Sequence, residues 1–166
     1  MFSNIPVEIV PYDPRWLSRF ARARRAIMAA IGGYVRIIEH IGSTAVPGLA
    51  AKPVIDILVG VHSLENAPAF LAPLTPLGYT YVPQHEETFP ERRYLHRIVS
   101  GRHTHHLHIV EPASEFFRVQ LLFRDYLRSH PDAVVQYAEL KYRLAERYRN
   151  DREAYTDAKA GFIREI

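Results

Sequence analysis

The sequence contains no cysteine. A disulfide framework and a thiolate zinc site are therefore both excluded, and any metal must be held by His, Asp and Glu. Long apolar runs are missing as well: the longest, residues 26–31 and 54–61, fall far short of the ~20 residues a membrane helix needs. The start, MFSNIPVEIVP, has no basic segment leading into an apolar one, so no export signal is expected and a cytoplasmic location is. Charge of one sign is scarce. Lys and Arg number 21 against 18 Asp and Glu, a formal +3 with pI near 9.3, which gives a mild preference for anions and no expectation of nucleic acid as a partner. Neither a repeat nor a low-complexity tract nor a linker interrupts the chain, and no G-x-S-x-G elbow supports acyl-transfer hydrolysis.

What remains is 166 residues, 48% of them hydrophobic, which fits one domain over residues 1–166 with a sizeable core. The stretch around which the rest is arranged is residues 39–59, EHIGSTAVPGLAAKPVIDILV. The β-branched-rich run from Val35 to Ile41 predicts a strand, Gly42-Ser43 a turn, Thr44 to Pro53 a connection, and Val54 to Val61 a second strand. Asp56 sits inside that second strand between Ile55 and Ile57, with no basic residue in the run to pair with it. A buried carboxylate is costly unless it is paired, hydrogen-bonded or bound to a cation, which makes Asp56 the first candidate for function. The alternative is an Asp near a strand end that caps a neighbouring loop.

Around this centre the chain reads as follows. Val7 to Val10 predicts a short strand. Asp13-Pro14 opens a helix reaching Ile31, with Trp16, Leu17, Phe20, Ala23, Ile27 and Ala30 as its apolar stripe and Arg15, Arg19, Arg22 and Arg25 off it. Ser63 caps a further helix, Tyr79 to Val82 is a strand, and residues 84–91 form a polar loop. Residues 92–100 and 104–111 predict an antiparallel hairpin. Alternation then places Thr104, His106 and His108 on one strand face, with His105, Leu107 and Ile109 on the other. From Ser114 onward the pattern is helical, broken at His130-Pro131-Asp132 and continuing over 133–149 and 153–163. The sum is an α+β fold: a mixed β-sheet flanked by helices, with a helical C-terminal third.

Asp56, His106 and His108 are expected to converge beside the Gly42-Ser43 turn. Backbone N–H groups after a small-residue turn suit phosphate oxygens, the Ser43 hydroxyl adds a donor, and Asp56 could hold the divalent ion that phosphates bring. Lys52 and the arginines Arg92, Arg93 and Arg97 are available to neutralise charge. HxH without a third ligand is more often a solvent-facing pair of imidazoles than a metal site; completing one would take Asp56 or His40. His103, His105 and His130 read as surface residues, and Tyr94 and His96 as packing on a shared face.

Four segments carry a resemblance: residues 39–59 above, HHLHIVE at 105–111, LLFRDYLRSHPDAVVQYAELKYRLAERY at 121–148, and YTDAKAGFI at 155–163. Together they resemble the GrpB family, essentially from end to end. The resemblance implies a nucleotidyltransferase-like fold and a relation to the C-terminal domain attached to some bacterial dephospho-CoA kinases. In the wider superfamily a G-S turn is followed by a strand with two acids and by a further acid from a later strand. Gly42 and Ser43 match the turn and Asp56 matches the first acid, while Leu58 stands where the second would be and His106 or His108 where the third would be. Two readings follow. In one, the protein transfers a nucleotidyl group from a nucleoside triphosphate: Gly42, Ser43 and Thr44 hold phosphates, Asp56 is catalytic and shares a metal with His106 and His108, and Lys52 or Arg93 meets the leaving charge. The metal would be magnesium or manganese ahead of zinc. In the other, it is a non-catalytic module that binds an anion or nucleotide or serves in assembly with a protein partner. A nucleotide or other phosphate-bearing small molecule is the expected ligand in both.

Overall fold

Alternating apolar positions in the expected strands build one mixed five-stranded sheet, here in a computed structural model that describes residues 5–166. Its strands are β1 (Val35–Ile41), β2 (Ile55–Val61), β3 (Tyr79–Tyr81), β4 (Arg92–Val99) and β5 (Arg102–Val110), in the spatial order β1-β2-β5-β4-β3. Neighbours run antiparallel except the central pair β2 and β5, which run parallel with Asp56 opposite His106 and Leu58 opposite His108. The helices are α1 (Arg15–Ile31), α2 (Ala67–Leu71), α3 (Glu115–Ser129), α4 (Pro131–Arg147) and α5 (Arg152–Glu165). The last three make up the expected helical C-terminal third.

One face of the sheet is closed by α1. Ile55, Ile57, Val59, Val61, Leu95, Leu107 and Ile109 project into a core with Trp16, Ala23, Ile27 and Ile31 of the helix. Each fully buried aliphatic side chain in such a layer contributes roughly 1.5–3 kcal/mol. Leu17 does not share the expected stripe; it is 48% exposed, because it lies about 100° around the helix from Trp16, and Ile31 completes the buried row instead. Asp13 caps the helix as expected, its Oδ1 accepting the Arg15 N–H at 2.9 Å.

The opposite face is divided. Toward β1, the residues Ile41, Leu58 and Val110 are covered by Phe116, Phe117 and Leu121 of α3. Ser114 caps that helix by accepting the Phe117 N–H at 3.2 Å. Arg124 fixes it to β1 through Glu39 at 2.6 Å and the His40 carbonyl at 3.1 Å, and Arg128 reaches the Ala45 carbonyl at 3.0 Å. Toward β4, the face is left to polar side chains. Helices α4 and α5 arch over it, seated on Val46 and Leu49 of the β1–β2 connection and, by way of Tyr155 and Ala145, on Val7.

Two boundaries differ from the sequence-based expectation. The strand expected at 7–10 shrinks to one bridge, in which Val10 and Ala51 exchange N–H···O bonds of 2.9 and 3.0 Å; Pro11 supplies no N–H with which to continue. The second hairpin strand starts two residues earlier than expected, at Arg102, while the first ends at Val99, because Ser100 and Gly101 both take positive φ (52° and 76°) and so form the two-residue turn whose twist matches the strands.

Candidate anion-binding cleft

The polar half of the sheet, the Gly42 turn and the two arching helices enclose a cleft of about 500 Å³. Strand alternation decides which side chains form its floor. On β2 Asp56 faces it, on β5 His106 and His108, and on β4 Arg92 and Tyr94, with Asp56 opposite His106 and Tyr94 opposite His108 across the sheet.

Asp56 is the hub. Its Oδ1 lies 3.3 Å from Nε2 of His108 and 3.4 Å from Nδ1 of His106. Burial by itself would raise the Asp56 carboxyl, but the hydrogen bonds and positive potential of the two imidazoles outweigh it and hold the group well below the usual carboxylate range. Its other oxygen faces the turn. A Cβ placed on Gly42 would come within 2.7 Å of Asp56 Oδ2, and Gly42 has φ +72°, so both space and backbone conformation require glycine there.

The partners beyond the hub fix the imidazole tautomers. Arg92 Nη1 donates to His108 Nδ1 at 3.2 Å, so the ring proton of neutral His108 is on Nε2, aimed at Asp56. Burial pushes His108 below the ordinary imidazole value against the pull of Asp56, which favours that neutral state. His106 Nε2 meets His103 Nδ1 at 3.0 Å. Arg92 is itself buried, with its guanidinium over the rings of Phe89, Phe116 and Tyr94 at 4.6, 5.0 and 5.4 Å, and its Nε has no hydrogen-bond partner.

The opposite wall comes from the connection and the helices. Lys52 and Lys159 both lie over the Tyr155 ring, at 5.3 and 4.6 Å, and Lys141 lies 4.7 Å over Tyr137 while donating to the Ala50 carbonyl. Burial, and then the charges of Lys159 and Lys52, pull Lys141 down to about 6. Burial and Lys52 pull Lys159 down to about 8, with Asp56 opposing. Burial lowers Lys52 too. Tyr137 is pushed up to about 12 by burial, the neighbouring Ser43 hydroxyl acting in the other direction. The cleft thus holds four basic side chains, Lys52, Arg92, Lys141 and Lys159, of which Lys141 is largely neutral at pH 7, and one carboxylate.

Of the residues singled out in the sequence, Gly42, Ser43, Thr44, Lys52, Asp56, His106 and His108 line this one cleft. Arg93 does not. It alternates to the other face of β4, where it meets the Pro90 carbonyl at 2.8 Å and Glu86 at 3.5 Å, and Arg92 holds the cleft position. Nor can His40 join Asp56. It lies opposite Ile57 on the α1 face, stacked on Phe20 at 4.7 Å, and bonds Thr44 Oγ1 at 2.9 Å. The Thr44 hydroxyl donates in turn to the Val54 carbonyl at 3.3 Å, so it ties the turn down. The N–H groups of Ala45 and Val46 close the turn on the carbonyls of Gly42 and Ser43. His103 and His105 are not simple surface residues: His103 backs His106, and His105 packs against Tyr79 on the α1 face, whereas His130 is exposed as expected.

The donor set fits poorly with the expected magnesium or manganese. It offers one carboxylate, both ring nitrogens of His108 are engaged, and among the described residues no group of three His, Asp or Glu side chains is arranged to hold a metal ion. Leu58, where a second acid would stand, is fully buried in the apolar cluster beneath α3.

Sequence reasoning missed Lys141, Lys159 and Tyr155, although a signal was present. Ala133, Tyr137, Lys141 and Ala145 recur every four residues as the buried row of α4, and Tyr155 and Lys159 repeat that spacing on α5.

Comparison with known proteins agrees with this architecture. The family described as GrpB protein matches residues 6–166. The crystal structure of conserved protein GrpB from Enterococcus faecalis superposes with a TM-score of 0.86 at 33% identity, over 95% of this chain and 93% of that one. The glutamate-rich protein GrpB of Alkalihalophilus pseudofirmus is 36% identical over 96% of this chain and 93% of its own length. A UPF0157 protein of Pseudomonas aeruginosa is 43% identical over 96% of this chain, which spans 66% of that protein. A dephospho-CoA kinase of Mycolicibacterium paratuberculosis is 31% identical over 98% of this chain, which spans only 46% of it. No helix among the described residues is long and apolar enough to cross a membrane. A match over residues 6–166, and a GrpB crystal structure that shares the same sheet and helices, place this chain in the GrpB family.

Proposed function

We propose that this protein binds a phosphate-bearing small molecule, a nucleotide in the first instance, in the cleft between the Asp56 hub and helices α4 and α5, and that it acts as a binding module. The observation that supports this most directly is the imbalance of charge: four buried or half-buried basic side chains, of which Lys141 alone is largely neutral at pH 7, face a space containing one carboxylate, which already accepts from two imidazoles. A buried ammonium without an anion is costly, and a phosphate supplies what is missing. Phe89 and Phe123 add accessible ring surface for a base or sugar. The apolar burial of Leu58 argues against nucleotidyl transfer by bridged metal ions, which needs several carboxylates. The similarity of this chain to part of dephospho-CoA kinases is consistent with a nucleotide-binding role and makes dephospho-CoA one of the ligands to try.

The test is thermal unfolding with nucleoside triphosphates, dephospho-CoA, inorganic phosphate and sulfate. A ligand present at 100 times its Kd stabilises the folded state by about 2.7 kcal/mol, which raises Tm by several degrees. Flat melting curves with the whole panel would refute the reading, and release of pyrophosphate from a triphosphate would replace it with the transferase reading.

A further inference from the structure

We infer that the cleft takes its phosphate-bearing ligand without a divalent metal, the counter-charge coming from Lys52, Lys141, Lys159 and Arg92. This rests on the reading above and goes beyond it by assigning to side chains the task that a metal ion performs in related chemistry.

Three observations carry it. First, the position that would complete a metal-binding carboxylate pair, Leu58, lies in a dry apolar cluster, and no polar group there could be turned toward an ion. Second, one oxygen of the acid that is present is already engaged. Asp56 Oδ1 accepts from His106 and His108, and His108 is itself held by Arg92, so a metal ion bound by both carboxylate oxygens would break a chain of hydrogen bonds that fixes the floor of the cleft. Third, the lysines are placed as a set. Lys52 and Lys159 share the Tyr155 ring, and Lys141 lies over Tyr137, whose hydroxyl neighbours Ser43. The cations therefore follow the wall from the turn to α5, as successive phosphates of a polyphosphate chain would require. The Tyr155 hydroxyl, fully buried in this same wall, has no hydrogen-bond partner and supplies a further donor. The lowered affinity of Lys141 and Lys159 for protons agrees with this arrangement, since burial first, and then the charge of Lys52 on both and of Lys159 on Lys141, disfavours the protonated forms until an anion arrives.

The experiment is titration calorimetry with ATP, run once in excess EDTA and once in excess magnesium. Binding is expected in EDTA, and magnesium should weaken it about tenfold by occupying the phosphate oxygens that the lysines would meet. Binding that appears only with magnesium would overturn the metal-free inference and leave the nucleotide reading standing, whereas no heat in either condition would overturn the inference and, together with flat melting curves across the panel, the reading beneath it. Lys159→Gln, at a partly buried position, should preserve the circular-dichroism melt and raise the Kd in EDTA about tenfold. Wild-type affinity in that variant and in Lys52→Gln would also overturn the inference.

Discussion

The two faces of the sheet are built from alternate residues of the same strands, and each carries a buried histidine, yet they meet opposite fates. On the α1 face, His40 is enclosed between Phe20 and Thr44, and its Nδ1 has no partner. On the cleft face, both ring nitrogens of His108 are bonded, one by Arg92 and the other by Asp56. The first face is a core that tolerates one imidazole, and the second is a polar network with room for a ligand. What distinguishes them is cover: α1 packs flat on its face, whereas α4 and α5 arch above theirs.

The difference can be broken most forcefully from the α1 side. Ile57→Ala, at a position with no exposure, should cost about 3–4 kcal/mol in urea unfolding and leave ATP affinity unchanged, because the side chain points away from the cleft. A parallel loss of affinity would mean that the faces are not separable.

Acid should act next, through His40. Burial leaves its pKa at about 4, below the ordinary 6.5, so between those values the unfolded chain holds a proton that the folded chain refuses. Stability should therefore rise with pH across this window and fall by on the order of 3 kcal/mol on acidification from pH 7 to pH 4. Asp56 does not contribute there, since its lowered pKa withdraws stability only below the ordinary carboxylate value. His40→Gln, which can still donate to Thr44, should remove part of the slope between pH 4 and 6.5, because burial also lowers His103 and His105 to about 4; an unchanged slope would place its source in those two alone.

The smallest stability effect is expected at the hub. Asp56→Asn keeps one acceptor for the imidazoles but loses the charge, at a cost of roughly 1–2 kcal/mol at neutral pH. Because it removes the one carboxylate among four basic side chains, it should leave ATP affinity in EDTA equal or higher. A metal-bridging Asp56 would give the opposite result, loss of all binding, so the sign of the change discriminates.

The sheet was legible because period-two alternation in residues 35–61 and 92–111 leaves little freedom: once β5 is a strand, His106 and His108 must share a face, and the pairing of β2 with β5 then adds Asp56 to it. The turn was legible from Gly42-Ser43, and its glycine proved to be demanded by the carboxylate beside it. Arg92 and Arg93 were equally available to a reading of composition, and only the register of β4 against β5 separates them. The lysines were hidden by a stronger prejudice. A lysine on an amphipathic helix normally marks its wet side, and recognising Lys141 as interior requires noticing that it falls in step with Ala133, Tyr137 and Ala145. Nothing local indicates that α4 and α5 arch rather than lie flat, because that depends on Val46 and Leu49, some ninety residues earlier, propping them up.

The parallel pairing of β2 with β5 has a consequence for how the protein comes into being. Asp56 and His108 are 52 residues apart and Lys141 is 91 from its acceptor Ala50, so the cleft is assembled wholly from contacts that are remote along the chain. Such closures are slow, and they come after local helices have formed. No fragment released early in synthesis contains both walls, and no partial opening that separates β5 from β2 preserves one. A ligand held there senses the whole chain at once: occupancy should slow hydrogen exchange in the α1-side core, where the ligand touches nothing, as much as in the strands beneath it.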